Sequence, residues 1–361
     1  MIRPVLRTRA LGRALLARQH LLARSAMDAA AMVAHLGGLQ AQAVPDPPYL
    51  GLWSRLDGFR PQRLSELIER REAVRIALHR STIHLVTAED CLTLRPVLQP
   101  VLERGFAGNW RKRLAGADLD AVAAQARVLV EQEPRTFEQL GGLLAPGFPG
   151  SEPAALAQAA RTRLALVQVP PRGIWGRSGP AAHTTAEHWL RRPLDPAPSV
   201  ERLVLRYLAA FGPASAADVQ KWCGLTGLGS VLTRLAPQLE LFHDERGRIL
   251  YDLPQAPRPS EDTPAPVRLL APFDNLLLSH ADRTRVLPEE YRPRVMTRNG
   301  IVLGSVLVDG LVAGSWRLAE GTLRVRPFVR LRRAEHAEVT AEGERLLAFT
   351  GGERIVVDPA E

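Results

Sequence analysis

The stretch 200–253, VERLVLRYLAAFGPASAADVQKWCGLTGLGSVLTRLAPQLELFHDERGRILYDL, holds a complete supersecondary unit. Apolar residues recur at helical spacing through Val200–Phe211, and Gly212 and Pro213 stop that helix. Ser215 stands at the N-cap of Ala216–Cys223, Gly224 supplies the stop, and 229–235 is the next helix. Residues 239–243 and 248–253 read as two strands around a tip at 244–247. Three helices and a two-stranded wing predict a winged helix, a variant of the helix-turn-helix.

The same order recurs twice upstream. Helical periodicity at 6–19, 29–36, 49–56 and 63–71 precedes β-rich runs at 73–78 and 82–86, with His79, Arg80 and Ser81 at the bend. Helices at 121–131, 137–144 (capped by Thr136) and 154–163 precede strands at 165–169 and 173–175. Five prolines make 254–266 a linker, after which the period becomes two. The runs 301–308, 311–318 and 323–330 are separated by Asp309-Gly310 and Glu320-Gly321, hairpin turns in which both residues take positive φ. A helix at 334–349 and a strand at 354–357 follow. The expected fold class is α+β: three tandem winged helices and a small antiparallel β-barrel. The expected domains are 1–87, 88–190, 191–265 (third winged helix and linker) and 266–361 (barrel with an acidic C-terminal helix).

The chain has 361 residues, with 47 Lys+Arg against 38 Asp+Glu and a net charge of +9. Residues 1–87 carry 13 basic and 6 acidic side chains, and 283–333 carry 11 arginines against 4 acids. Two basic zones suggest a polyanion, nucleic acid above all, because the arginine fork grips phosphate through paired hydrogen bonds. Arginine in preference to lysine, with abundant Ala, Pro and Gly, is equally what a GC-rich coding sequence produces. The acid-free 1–27 reads either as a transit peptide or, with Leu6, Leu11, Leu15 and Leu16 as a buried stripe, as the first helix of a domain; the second is preferred. No apolar run reaches membrane-spanning length, so neither a membrane partner nor a secretory route is expected. Cys91 and Cys223 cannot build a disulfide framework, and a soluble monomer of the cytoplasm is expected.

No phosphate-binding loop, dinucleotide fingerprint or zinc motif is present, and no cofactor or metal is expected. His183 and His188 could share a metal but read as surface histidines, and His280 with Asp282 carries only a weak signal. Glu89 and Asp90 follow the cap Thr87 and suit a helix N-terminus. The stretch 37–53, GGLQAQAVPDPPYLGLW, stands out. Its glycines end a helix, and its three prolines block one. If 40–42 is extended, the Gln40 and Gln42 amides point to one side and converge. Without context, Gln-x-Gln is a solvated loop or a helix-ending amide pair. Asp46 is a rival candidate in the same stretch, although a turn role suits its proline neighbours.

The strings LQAQAVPDPPYLGLWSRL (39–56), RSTIHLVTAED (80–90), LLAPFDNLLLSHADRTRVL (269–287) and VDGLVAGSWR (308–317) together resemble the AlkZ/YcaQ-like family of bacterial winged-helix DNA glycosylases. The resemblance spans residue 39 to about residue 330. It implies a glycosylase that excises N-alkylated purines and unhooks DNA interstrand crosslinks. Its Gln–aliphatic–Gln signature falls on Gln40, Ala41 and Gln42, which are expected to be catalytic. The expected partner is double-stranded DNA with alkylated or crosslinked purines. A guanine alkylated at N7 leaves without protonation, so positioned amides and a water suffice. No lysine lies near the motif, which argues for hydrolysis without a lyase step. Arg80, Arg283, Arg285 and Arg317 are the expected phosphate contacts. The alternatives are a non-enzymatic winged-helix DNA-binding protein or transcription regulator, and a scaffold whose barrel mediates protein contacts.

Overall fold

The computed structural model describes residues 4–42 and 47–360. The fold is mixed α+β, and the chain divides into two compact units. Residues 1–60, 204–222 and 227–361 form the first, and residues 61–203 with 223–226 form the second. Among the described residues, no helix is long and apolar enough to cross a membrane.

Most of the 200–253 stretch lies in the first unit, and it folds as its local signals dictate. Helices Val200–Phe211, Ala216–Cys223 and Leu228–Leu235 precede the antiparallel strands Glu240–Asp244 and Ile249–Asp252. Ser215 caps the second helix reciprocally with Asp218, whose carboxylate accepts from the Ser215 backbone N–H at 2.9 Å. Strand Val5–Leu6 adds to this pair in parallel, Val5 lying opposite His243. The segment 254–266 is tied down more than a free linker would be: Arg258 holds Asp252 at 2.6 Å, and Arg13 donates to Thr263 O at 2.6 Å.

The expected β-barrel is not closed. Strands Arg354–Val357, Thr322–Pro327, Leu311–Ala319, Gly304–Val308 and Arg268–Leu270 lie in that order in an open sheet. Helices Pro47–Arg55 and Arg333–Thr350 contribute Leu50, Trp53, Val339, Leu346 and Leu347 to the core around Leu323 and Val325. With helices covering its apolar residues, the sheet has no need to close on itself. Nor is it wholly antiparallel: Arg354–Val357 returns after helix Arg333–Thr350 and pairs in parallel with Thr322–Pro327. Both turns behave as their Asp-Gly and Glu-Gly pairs require, with φ of 48° and 79° at Asp309 and Gly310, and 48° and 71° at Glu320 and Gly321.

In the second unit, the strands expected as wings of two separate copies merge into one antiparallel arrangement. Ile83–Thr87, Ala73–Ala77, Leu166–Gln168 and His183–Thr185 are neighbours in that order. Ala73–Ala77 is buried along its whole length, so it needs a neighbour on each side. The expected strand at 173–175 is a turn with Gly173 at φ 90°; the strand that pairs with Leu166–Gln168 is His183–Thr185. Helices Leu119–Gln132, Phe137–Leu144 and Pro153–Arg163 bury Val122, Ala126, Leu140, Leu144 and Leu156 in a core of their own. Thr136 and Gln139 close a reciprocal capping box on the second of these helices.

Candidate active site around Gln40 and Gln42

Helix Ala29–His35 ends through two glycines, with Gly37 N–H donating to Ala34 O at 3.1 Å and Gly38 N–H to Val33 O at 3.0 Å. Both have positive φ, 64° and 98°. A Cβ on Gly37 would also lie 2.9 Å from the Trp222 ring, so glycine is needed there twice over. The chain then extends through Leu39–Gln40. Leu39, Gln40 and Ala41 are buried, while Gln42 is exposed. The two amides meet: Gln40 Nε2 donates to Gln42 Oε1 at 2.5 Å. A buried amide therefore fixes the orientation of an exposed one. Asp46 lies outside the described residues.

Pro47 and Pro48 do not block the next helix, and Pro45 lies outside the described residues. Pro47 and Pro48 open Pro47–Arg55, because a first turn has no intrahelical N–H bond to lose. This helix carries Arg55, wholly buried, whose guanidinium grips Asp274 through two bonds of 2.8 and 2.7 Å and also donates to Gln19 Oε1 at 3.1 Å. Asp274 in turn caps Asn275–Leu278 by accepting from Leu276 N–H at 2.9 Å. The neighbouring Asn275 Nδ2 donates to Gly38 O at 2.6 Å, two residues before Gln40. The string 269–287 thus reaches back to hold both ends of the glutamine stretch. Asp274 and Asn275 were not among the expected site residues; the sequence signal for them is the Asp-Asn pair, with Asp274 a preferred helix-capping residue.

The expected phosphate contacts separate into two kinds. Arg317 is exposed, facing Arg324 across the hairpin, and Arg80 is half-buried at the bend of its own with φ 55°. Arg283 and Arg285 are instead buried, and burial lowers both guanidinium pKa values. Their donors serve backbone carbonyls: Arg283 Nε reaches Leu277 O at 2.7 Å, and an Arg285 terminal nitrogen reaches Pro213 O at 2.8 Å. They are tied to carbonyls within the first unit, and their burial sets them apart from Arg80 and Arg317.

The histidines also depart from expectation. His188 is exposed, but His183 is buried and stacked on Phe137 at 4.1 Å between ring centroids, and burial pushes its pKa down to about 4. His280 is buried against Phe211 O and Ser279, with a pKa lowered to about 3 by burial and then by Arg285. Asp282 is held at about 2: burial raises it, but hydrogen bonds from Thr284 and Arg248 outweigh that. Burial pushes Cys91 to about 12 and Cys223 to about 11, so neither supplies a thiolate near neutral pH. Thr87 does cap Ala88–Val97, accepting from Asp90 N–H at 3.1 Å.

A model of the DNA glycosylase AlkZ-like family matches residues 33–349, a span that includes both glutamines and every strand of the open sheet except the last. The chain belongs to the AlkZ-like DNA glycosylase family. Among relatives of this family, the interstrand DNA cross-link repair glycosylase of Streptomyces sahachiroi is 28% identical over 187 residues, 49% of each chain. The match thus spans about half the length of that curated relative. The solved structure of Streptomyces sahachiroi DNA glycosylase AlkZ shares the fold, with a TM-score of 0.79 at 19% identity over 98% of this chain and 99% of that one.

Proposed function

We propose that this AlkZ-like chain is a DNA glycosylase that hydrolyses the N-glycosidic bond of cationic N-alkylated purines of the N7-alkylguanine type. The observation that carries the reading is the Gln40–Gln42 amide pair, hydrogen-bonded at 2.5 Å. In this reading the buried Gln40 acts as the orienting member. The exposed Gln42 holds the water that attacks C1′, its carbonyl oxygen having a second lone pair for a water proton. The bond from C1′ to the base breaks, the base leaves neutral because it began as a cation, and the water's proton passes to solvent. Neutral amides are too weak to deprotonate water, so the site favours bases that are good leaving groups already.

Unhooking of interstrand crosslinks, the repair named for the Streptomyces relative, is the extension of this reading to a base tethered to the opposite strand. Hydrolysis without a lyase step is supported by the scarcity of lysine: only Lys112 and Lys221 exist, neither in the 37–53 stretch. The same reading retains a monomer acting on duplex DNA and a winged helix at 200–253, while the strands of the first two helix-plus-strand groups are shared in one sheet. Arg80 and Arg317 are its phosphate contacts. The test is base release from duplexes containing N7-methylguanine or only unmodified guanine. Release confined to the cationic base is expected. No release from either duplex would sink the proposal and favour a non-enzymatic DNA-binding protein.

A further inference from the structure

The second unit carries a basic pocket that the glutamine chemistry does not use. Helix Pro61–Glu69 closes with Arg71 N–H on Ile68 O at 3.1 Å and Glu72 N–H on Leu67 O at 2.8 Å, the pairing of a Schellman turn. Arg71 therefore sits at φ 63°, and Arg191, which ends helix Ala186–Leu190, sits at φ 54°. Glycine takes this left-handed position without the steric cost that a Cβ imposes. Here two arginines take it, and both line one cavity of about 500 Å³ together with Arg70, Arg192, Glu72 and Trp189. The Arg71 guanidinium lies 3.9 Å from the Trp189 ring centroid and donates to Trp189 O at 3.1 Å. Arg192 pairs with Glu89 at 2.8 Å. Arg70 and Arg191 are exposed, and among the described residues neither forms an ion pair with an acid.

Cations near a helix C-terminus complement its dipole, but any position in the last turn achieves that. Placing arginine at the left-handed residue itself, at two helix ends that share one cavity, calls for a further reason. We propose that this pocket is a phosphate-binding site for the DNA backbone, separate from the glutamine site. Arg70 and Arg191 neutralise phosphate, and Trp189 with Arg71 stacked on it forms a rigid wall. The assignment rests on the reading of this chain as a protein that acts on DNA.

The test measures binding of the full chain to a short undamaged duplex by fluorescence anisotropy over a range of salt, together with thermal stability and base release. Arg191→Gly is expected to keep or raise the melting temperature, because it relieves the left-handed arginine. It should flatten the slope of log affinity against log salt by about 0.9, with Arg70→Ala/Arg191→Gly flattening it by about 1.8. Arg191→Lys, which keeps the charge, should restore the slope. An unchanged slope in the double variant, or no binding of duplex by the wild type, would overturn the proposal. An arginine-dependent slope without base release leaves this site standing and refutes the glycosylase reading. Base release with a slope indifferent to these arginines does the reverse.

Discussion

The buried Arg55–Asp274 pair makes a severe test of how the glutamine stretch is held. Both side chains are fully excluded from solvent and joined by two hydrogen bonds. Among the described residues, Asp274→Ala leaves the buried Arg55 guanidinium with Gln19 Oε1, Gly51 O and Ser54 Oγ as acceptors. Orphaning a buried charge costs about 3–5 kcal/mol. Loss of the Asp274 cap on Leu276 N–H adds about 1 kcal/mol. The sum, about 4–6 kcal/mol, rivals the whole stability of many domains. With a urea m-value of about 3 kcal/mol per molar, the midpoint should fall by about 1.3–2 M. Arg55→Met/Asp274→Ala removes both charges, and an apolar pair of similar volume is close to neutral, so the double variant should recover at least about 2 kcal/mol. Urea titration of the three proteins decides the matter. A single variant within about 1 kcal/mol of wild type, or a double no more stable than the single, would refute the reasoning.

Arg80→Ala and Arg317→Ala should each flatten the salt dependence of duplex binding by about 0.9, whereas Arg283→Ala and Arg285→Ala should lower stability and leave that slope alone. His183 and His280 have native pKa values of about 4 and 3 against 6.5 unfolded, so the unfolded chain binds their protons first. Stability should therefore be free of their influence above pH 6.5 and fall as pH drops towards 4, at about 1.4 kcal/mol per pH unit for each histidine. Denaturant midpoints across that range check this, and His183→Gln should make the acid limb shallower. Gly310→Ala would place a Cβ 2.5 Å from an Arg13 nitrogen and 2.6 Å from a Leu16 methyl in a residue at φ 79°, lowering stability by about 1–3 kcal/mol in the same measurement.

What could be read from the sequence was whatever chemistry acts locally. Ser215, Thr136 and Thr87 announce helix starts because a cap needs only a side chain and an N–H three residues on. Asp309 and Gly310 announce a turn because the turn dictates their φ. Pairing between distant segments leaves no such mark: nothing near Ile76 says that Val167 lies beside it, so two wings were expected where one sheet forms. Closure of the final sheet is illegible for a similar reason, since alternation shows which face is apolar and is silent about whether a helix or more sheet covers it. At the site, extended spacing correctly brought Gln40 and Gln42 together. The charge count could not separate arginines that face solvent from the buried Arg283 and Arg285, each of which donates to an internal carbonyl. Asp274 and Asn275, more than two hundred residues away in sequence, act on the stretch only once the chain has folded.

The central claim, that Gln42 positions water while Gln40 orients it, is tested most directly by single-turnover release of N7-methylguanine from duplex DNA, with duplex affinity measured on the same samples. Gln42→Ala should slow release by about a hundredfold while affinity changes less than about threefold, since the lost interaction belongs to the transition state. Gln40→Ala should slow it by a smaller factor. Release by Gln42→Ala at the wild-type rate, or a loss wholly explained by weaker binding, would contradict the account.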